Sequence, residues 1–316
     1  MWPARSGRGP RRGPRSRHEE IHPMRVHSLG YLVVSSTDVA AWRTFGTDVL
    51  GLMPGRQDDE RELWLRTDER CQRVVVEAAD VDEVHAIGWE LCNDLDLEGL
   101  LATFDEQGIA WERPDGLAAR RGVEDLVRVT DPAGYVLEFF WGMQVDPSGF
   151  ASPAGVSGFV TGRSGLGHVV LASAPFEESD AFYRRTLEFG LTDFAVMDGV
   201  RAHFLHTNQR HHSLALIGAP KDAWFVRGGL IHLMVQLNTL TDVGRALGRA
   251  EAAGCSFFET IGEHANDRMT SFYVNSPAGF PIEVGAGAID IDPEGWTAVN
   301  LPAPDEWGHK ILGAEQ

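Results

Sequence analysis

Short runs of alternating or continuous apolar residues cover most of this chain, separated by segments in which apolar residues recur at helical spacing. Trp42, Phe45 and Val49 fall on one face of the first such segment. Gly108 marks the end of a second predicted helix, because glycine readily adopts the left-handed conformation that often follows a helix. In the first half the pattern predicts strands at residues 29–35, 61–66, 73–78 and 135–141 and helices at 38–50 and 97–107.

The second half repeats this order of elements, and the two halves begin and end with similar sequences. Residues 29–34 are similar to residues 166–171, and residues 131–138 are similar to residues 276–283 around a shared Pro-Ala-Gly turn. The offsets, 168 − 31 = 137 and 283 − 138 = 145, differ only by modest loop changes. The sequence therefore predicts a duplicated module. Its second copy has predicted strands at residues 166–172, 201–206, 213–218, 230–237, 270–275 and 280–285 and helices at 178–187 and 241–253.

At 316 residues the chain is long enough for two α+β domains that each bury an apolar core. We predict an N-terminal domain at residues 26–145, a linker rich in Gly, Pro and Ser at 146–164, and a C-terminal domain at 165–312. Residues 1–25 carry seven arginines among Gly, Pro and Ser and lack the apolar stretch of a secretory signal. This composition predicts a disordered arm.

The net charge of −18 narrows the choice of partners. An acidic surface repels nucleic acid and anionic membranes, so we expect neither as a partner and favour a small-molecule ligand. No stretch approaches the roughly 18 uninterrupted apolar residues of a membrane span. The three cysteines, Cys71, Cys92 and Cys255, are far apart and form no CxxC motif. They favour a reducing compartment, and we expect the protein in the cytoplasm.

Two histidines and a glutamate in the second half form a candidate metal site. His168, His232 and Glu283 fall on three different predicted strands, where alternation allows their side chains to share one concavity. Two imidazoles and one carboxylate on one face of an octahedral metal form the ligand set of non-haem Fe(II) oxygenases. Zinc-dependent hydrolysis uses the same ligand types. A single histidine in a strand is more often a hydrogen-bonded core residue, but three candidates in matched repeat positions weaken that interpretation.

The duplication supplies an internal control for this site. By sequence, Tyr31 matches His168, His85 matches His232 and Glu138 matches Glu283. The first half therefore lacks its first imidazole, and we interpret His85 and Glu138 as structural residues and not as ligands. Only the second half keeps a complete set.

His211 and His212 stand side by side at the start of an alternating apolar run. Adjacent residues of a strand point to opposite faces, so we expect only one of the two in a site and interpret His211 as a packing residue. Asn266 and Asp267 follow His264, and Asn and Asp commonly satisfy backbone groups in turns. We expect both to shape the loop that carries His264, with Asp267 also a candidate for orienting His264 or another group beside the site.

These motifs together resemble the two-domain extradiol ring-cleaving dioxygenases of the vicinal oxygen chelate superfamily, over about residues 26–312. The resemblance implies a fold of two tandem domains, each built from paired βαβββ units that form an open barrel. The stretches that carry the resemblance are residues 158–162 before Gly167-His168, 208–216, 231–235, 262–267, 271–273 and 277–283.

The resemblance also implies roles for individual residues. His168, His232 and Glu283 would bind Fe(II), with Mn(II) as an alternative metal. His212 would lie beside dioxygen as hydrogen-bond donor and general acid, a task suited to a side chain with a pKa near neutral. His264 and Tyr273 would hydrogen-bond the substrate oxygens.

The implied partners are O2 and a catechol, and the fold relatives suggest a homo-oligomer. We expect a bicyclic or polycyclic catechol such as 2,3-dihydroxybiphenyl, with 1,2-dihydroxynaphthalene or a steroid-derived catechol as alternatives. Residues 190–200 form a short segment that we expect to border the substrate pocket. A glyoxalase-like metal-dependent isomerase and a non-catalytic binding protein of the same fold are the remaining alternatives.

Overall fold

The computed structural model of the chain describes residues 25–197 and 199–312. The predicted disordered arm lies outside the described residues except for Arg25. The guanidinium group of Arg25 donates hydrogen bonds to the carbonyl oxygen of Gly99 and the hydroxyl of Thr103. The first described residue is therefore fixed against a helix of the N-terminal half.

The first half forms an eight-stranded mixed sheet with helices on it. Its strand order is β2-β3-β4-β1-β5-β8-β7-β6. The helix predicted at residues 38–50 is present, but its second part is wound as a π-helix, Phe45–Leu50. The elements are β1 Val26–Ser36, α1 Val39–Thr44, β2 Met53–Asp58, β3 Glu62–Arg66, β4 Val74–Ala78, β5 Glu83–Leu91, α2 Asp94–Gln107, β6 Trp111–Glu112, α3 Leu117–Arg121, β7 Asp125–Thr130 and β8 Val136–Trp141.

The second half forms a ten-stranded sheet of order β17-β10-β11-β12-β9-β13-β16-β15-β14-β18. The first helix, α4, again continues as a π-helix, Phe182–Thr186. The elements are β9 Gly167–Ala172, α4 Phe176–Ala181, β10 Gly190–Met197, β11 Val200–His206, β12 Leu214–Ile217, β13 His232–Gln236, α5 Leu240–Ala252, β14 Phe257–His264, β15 Thr270–Asn275, β16 Pro281–Ala286, β17 Val299–Asn300 and β18 Asp305–Trp307.

The two strand orders confirm the expected paired βαβββ units. In the first sheet, β1 to β4 form one unit and β5 to β8 the other, and the units meet where β1 pairs with β5. In the second sheet, β9 pairs with β13 in the same way, and β17 and β18 extend the two ends. Both sheets are open, with free edges in place of a closed barrel.

Local sequence explains where the two longest helices begin and end. The side chain of Asn93 accepts a hydrogen bond from the Asp96 backbone and caps α2, and Thr239 caps α5 through Asp242. Helix α2 ends at Gly108, whose φ of 66° suits glycine, as the sequence predicts. None of the helices in the described part of the chain combines the length and apolar character that crossing a bilayer requires.

Apolar side chains from both sheets belong to one continuous buried core. Trp42 of α1 packs on Phe280 near β16 with ring centroids 5.9 Å apart. Buried polar contacts reinforce this junction, since the Tyr183 hydroxyl donates to the carboxylate of Asp131 and the Leu166 amide donates to the carbonyl of Leu29. These contacts hold the second sheet firmly against the first. The domain and linker boundaries drawn from the sequence stay a prediction.

Candidate functional site

Strand pairing brings the three candidate metal ligands onto one face of the second sheet. Met234 of β13 pairs with His168 of β9 on one side and with Glu283 of β16 on the other. Paired residues present their side chains to the same face, and so do residues two apart in a strand, which adds His232. The Nε2 atoms of His168 and His232 lie 3.1 Å apart, and Glu283 Oε2 lies 3.2 and 3.3 Å from them.

These three atoms fit a divalent metal. Ligands about 2.1 Å from an octahedral metal lie roughly 3.0 Å from their neighbours, close to the separations seen here. Glu283 is fully buried, and among the described residues its Oε2 accepts no hydrogen bond. A buried carboxylate oxygen without a donor carries a free-energy cost that a bound cation would remove.

The protonation states also suit metal binding, which requires a neutral imidazole and an ionised carboxylate. Burial lowers the pKa of His168 to about 4. Burial alone would raise the pKa of Glu283, but the neighbouring imidazoles of His168, His232 and His264 hold it well below its usual range.

Three further side chains face the same space. The ring of His212 stacks on that of His168 with centroids 4.0 Å apart, and burial lowers the pKa of His212 well below its usual value. His264 Nε2 lies 2.7 Å from the Tyr273 hydroxyl. Burial raises the pKa of Tyr273, whereas for His264 burial is outweighed by hydrogen bonds to Asp305 and Glu283, which raise its pKa. A neutral imidazole and a charged imidazole therefore flank the metal ligands.

All six side chains line a cavity of about 430 Å³. This volume lies within the range of about 300–1,000 Å³ that is usual for small-molecule sites. Most of the remaining wall is apolar. Its larger side chains are Phe204, Ile217, Trp224, Phe225, Ile231, Phe258, Leu301 and Ile311.

The loop after His264 is shaped by its own side chains. Asn266 Oδ1 accepts a hydrogen bond from the Asp267 amide, and Asp267 Oδ1 accepts one from the Met269 amide. Asp267 is buried, and a carboxylate oxygen lies within 4.8 Å of ring nitrogens of His168 and His212. Asn266 also lines the cavity.

Three residues near the site escaped the sequence interpretation. Asp305 Oδ1 accepts hydrogen bonds from Nδ1 of both His264 and His309, at 2.8 and 2.6 Å. Both Asp305 and His309 lie in the tail after the last repeated strand, where the comparison of the halves gives no signal. Glu259 pairs with Tyr273 across β14 and β15 and lines the cavity, and burial raises its pKa to about 7.

His211 is buried as the sequence suggested, and the segment 190–200 borders the cavity, but the reason given for His211 does not hold. His211 and His212 precede β12, so strand alternation does not apply, and their Nδ1 atoms lie 3.1 Å apart with the rings perpendicular. His211 is fully buried, as a packing residue would be, but it also contacts His212. Residues 190–197 form strand β10, and Ala195 of this strand lines the cavity.

The corresponding place in the first sheet has the same register. Gly88 pairs with Tyr31 and with Glu138 as Met234 pairs with His168 and with Glu283. Since 234 − 88 = 146, the counterpart of His232 is residue 232 − 146 = 86, which is alanine. The match of His85 to His232 is therefore wrong by one position, because strand irregularities between the units shift the alignment.

In the first sheet, arginine side chains surround the glutamate at the position that corresponds to Glu283. Glu138 is fully buried and accepts hydrogen bonds from Arg121, from Arg128 and from the Tyr31 hydroxyl, the last at 2.6 Å. Burial would raise the pKa of Glu138, but the guanidinium of Arg121 keeps it below its usual range. The structural interpretation of Glu138 agrees with these contacts.

We expect Glu138→Gln to destabilise the protein while leaving the second sheet's ligand set intact. The change leaves the buried Arg121 without its main counter-charge, and breaking a buried ion pair from one side typically costs about 3–5 kcal/mol. Urea denaturation of wild type and variant measures the difference. A loss below about 1 kcal/mol would show that Arg121 finds other partners.

A second expected result concerns the stability of the protein at low pH and the residue His206. Burial lowers the pKa of His206 from 6.5 to about 4. Between these values the unfolded chain binds more protons at this residue than the folded chain, so stability decreases as pH falls. His206→Gln should flatten this dependence below pH 6.5. Urea denaturation of metal-free protein from pH 5 to pH 7 measures it, and parallel curves for both proteins would contradict the assignment.

Comparison with known proteins agrees with the fold. Residues 29–78 match the family described as Dihydroxybiphenyl dioxygenase BphC D1, and residues 165–284 match the Glyoxalase/Bleomycin resistance protein/Dioxygenase superfamily. The chain is 38% identical over 296 residues to a biphenyl-2,3-diol 1,2-dioxygenase of Paraburkholderia xenovorans, covering 92% of this chain and 97% of the relative.

Two further relatives point the same way. An iron-dependent extradiol dioxygenase of Rhodococcus jostii is 36% identical over 300 residues, which cover 90% of this chain and 97% of the relative. Among solved structures, a halotolerant catechol dioxygenase superposes with a TM-score of 0.84 at 33% identity, covering 91% of this chain and 95% of that one.

Proposed function

The chain belongs to the extradiol ring-cleaving dioxygenases of the vicinal oxygen chelate superfamily, and on this premise we propose that it opens the aromatic ring of a catechol with Fe(II) and O2. The convergence of His168, His232 and Glu283 at the head of a largely apolar cavity carries the proposal.

In this proposal His168, His232 and Glu283 hold the iron and leave its other positions to the two co-substrates. When bound, Fe(II) supplies chelation of two vicinal oxygens, a lowered pKa for the bound hydroxyl and a path for electrons from the ring to O2. Mn(II) accepts the same ligands and is the alternative metal.

We assign the proton transfers to His212. Its lowered pKa keeps the imidazole neutral at rest, so it is able to take the second proton of the catechol. The same low pKa makes the protonated ring a good donor, and it returns the proton to oxygen as the O–O bond breaks. Only 3% of His212 is exposed, which limits exchange of this proton with water.

We assign the orientation of the substrate to Tyr273 and His264. Their 2.7 Å contact fixes both side chains on the cavity side of Glu283. A raised pKa keeps the Tyr273 hydroxyl protonated, and a raised pKa keeps His264 charged. His264 donates from Nδ1 to Asp305 and from Nε2 to the Tyr273 oxygen, which leaves the Tyr273 hydrogen free for a catechol oxygen, and His264 Nε2 donates to the catechol when it exchanges Tyr273 for the substrate. Donors placed at one oxygen decide which of the two stays ionised.

The apolar wall supports a catechol with a bulky apolar substituent. The side chains of Phe204, Ile217, Trp224 and Phe225 offer aromatic and aliphatic surface. An apolar substituent packs well against this surface, whereas a hydrophilic one would lose its water without gaining hydrogen bonds. We therefore propose 2,3-dihydroxybiphenyl as the first substrate to test, with 1,2-dihydroxynaphthalene and a steroid-derived catechol as alternatives.

The test is oxygen uptake by the iron-loaded protein. The enzyme is reconstituted with Fe(II) without oxygen, mixed with 2,3-dihydroxybiphenyl or 1,2-dihydroxynaphthalene, and then exposed to O2 while absorbance follows the yellow ring-opened product. We expect one O2 consumed per catechol. Tight catechol binding without uptake would favour a binding protein, and metal-dependent isomerisation of a thiol adduct would favour a glyoxalase-like enzyme.

Homo-oligomer formation and a cytoplasmic location also belong to this proposal. The first follows from the family resemblance alone, and the second is supported by three cysteines that are all free. Light scattering of the purified protein tests the first, and cell fractionation tests the second.

A further inference from the structure

Three buried side chains form a hydrogen-bonded series from strand β10 to the cavity. Asp193 Oδ2 lies 3.0 Å from His211 Nε2, and His211 Nδ1 lies 3.1 Å from His212 Nδ1. The exposed fractions are 1% for Asp193, 0% for His211 and 3% for His212, so water does not compete for these contacts. Only His212 of the three lines the cavity.

The order of the carboxylate and the two imidazoles in this hydrogen-bonded series determines which ring nitrogens carry hydrogen. A carboxylate accepts only, so His211 Nε2 carries the hydrogen that it donates to Asp193. In the neutral His211 ring Nδ1 is then a bare acceptor, and His212 must donate from its own Nδ1. The other ring nitrogen of His212, Nε2, is thereby left as a lone pair.

Neighbouring backbone and side-chain groups hold Asp193 and His211 in place. Asp193 Oδ1 accepts a hydrogen bond from the Val299 amide, which fixes the rotation of the carboxylate. The Thr192 hydroxyl donates to the carbonyl of His211, and Trp296 packs edge-on against the His211 ring. The tail segment around residues 296–299 thus immobilises Asp193 and His211.

We propose that Asp193 and His211 are positioning residues that fix the orientation and tautomer of His212, so that its Nε2 meets the substrate as a proton acceptor. The proposal rests on the proposed function for the role of His212. A bare Nε2 is required if His212 is to take a proton from the catechol before it gives one back. A carboxylate orients an imidazole in the same way in a catalytic triad, where the imidazole in turn exchanges a proton with the reacting group.

The carboxylate offers a variant that reverses the tautomer with little change of shape. In Asp193→Asn the Val299 amide selects the amide oxygen, so the side-chain NH2 faces His211. His211 Nε2 must then accept, its Nδ1 becomes the donor, and His212 Nδ1 becomes the acceptor. Hydrogen moves to His212 Nε2, and the ring presents a donor where the wild type presents a lone pair.

We expect Asp193→Asn to lower kcat by about 10²–10⁴-fold, the range that general acid–base catalysis contributes. Iron content should stay at the wild-type level, because neither Asp193 nor His211 is among the candidate metal ligands. Asp131→Asn is the matched control. It changes a buried carboxylate at the junction of the sheets, bound to Tyr183, and should keep kcat within about twofold.

Changes at His211 separate positioning from packing. His211→Asn is able to place its carbonyl oxygen near the position of Nδ1 and should retain most of the turnover. His211→Leu fills similar space without an acceptor and should lose it. Equal activity of these two variants would overturn the proposal, as would an Asp193→Asn enzyme with wild-type kcat.

A measurement independent of turnover completes the test. In metal-free protein with ¹⁵N-labelled histidine, nitrogen shifts and N–H couplings identify the protonated nitrogen of His212. We expect Nδ1–H in the wild type and Nε2–H in Asp193→Asn, and the same tautomer in both would overturn the proposal. If wild type cleaves no catechol while the tautomer reverses, the proposed function fails and the positioning role stands.

Discussion

Replacement of Glu283 by glutamine is expected to cost the protein its iron and its ring-cleaving activity. Glutamine keeps the length of the side chain and the hydrogen bond from the Ser271 hydroxyl to Oε1. It removes the only negative charge among the three ligands, so the metal loses its charged donor in a fully buried place. Metal content by mass spectrometry should fall from near one iron per chain to below about one tenth, and turnover by at least about 10³-fold.

The duplicated fold provides the control for this experiment. Glu138 stands at the matching register position in the first sheet, with arginines in place of histidines around it. Glu138→Gln should lose stability but keep its iron, whereas Glu283→Gln should lose iron but fold. Iron retained in Glu283→Gln would refute the assignment of the ligands, and iron lost in a folded Glu138→Gln would place the metal elsewhere.

The repeat makes much of this site predictable. His168 and Glu283 stand in matched segments of the two halves, so similarity between the halves predicts their strands and singles both residues out as candidates. The apolar pattern around His232 predicts its strand. The sequence comparison, however, matches His232 to His85, one position away from its structural counterpart Ala86. The strand irregularity between Val33 and Val34, which leaves His85 without a paired residue in β1, changes the register without leaving a clear mark in the sequence.

Other parts of the fold carry weak signals. The sequence pattern does not predict strand β5, because Glu83 and His85 interrupt its apolar residues near the first sheet's centre. Strand β10 contains Thr192 and Asp193 in its buried part, where an alternating pattern would place apolar residues. Both polar residues are buried because their partners come from distant segments, including the Val299 amide and the His211 carbonyl. Periodicity reports local pattern and does not report such partners.

The hydrogen-bond partners of the candidate catalytic residues are the least predictable part. Asp305 reaches His264 because strand β18 pairs with β14, an edge contact made by the tail after the repeat ends. Asp193 reaches His212 only through His211. Residue types therefore indicate the candidate ligands and the candidate acid, while tertiary contacts supply the groups that orient them.

The other large effect is expected from His212→Ala, which should keep the iron and lose the turnover. His212 stacks on His168 but is not part of the group formed by His168, His232 and Glu283, so in our assignment its removal takes away a proton carrier and not a ligand. General acid–base catalysis contributes about 10²–10⁴-fold, and kcat should fall by that factor. Catechol affinity measured without oxygen should change little.

Two variants bracket this result. His232→Ala should lose iron and activity together, because it removes a ligand. His203→Ala is the neutral control, since His203 lies on neighbouring strand β11, contacts Asp180 and does not line the cavity. Should iron content fall in His212→Ala as far as in His232→Ala, the division between ligand and acid would be wrong. A His212→Ala enzyme with wild-type kcat would move the proton transfers to His264 and Tyr273, the other proton donors that face the metal ligands.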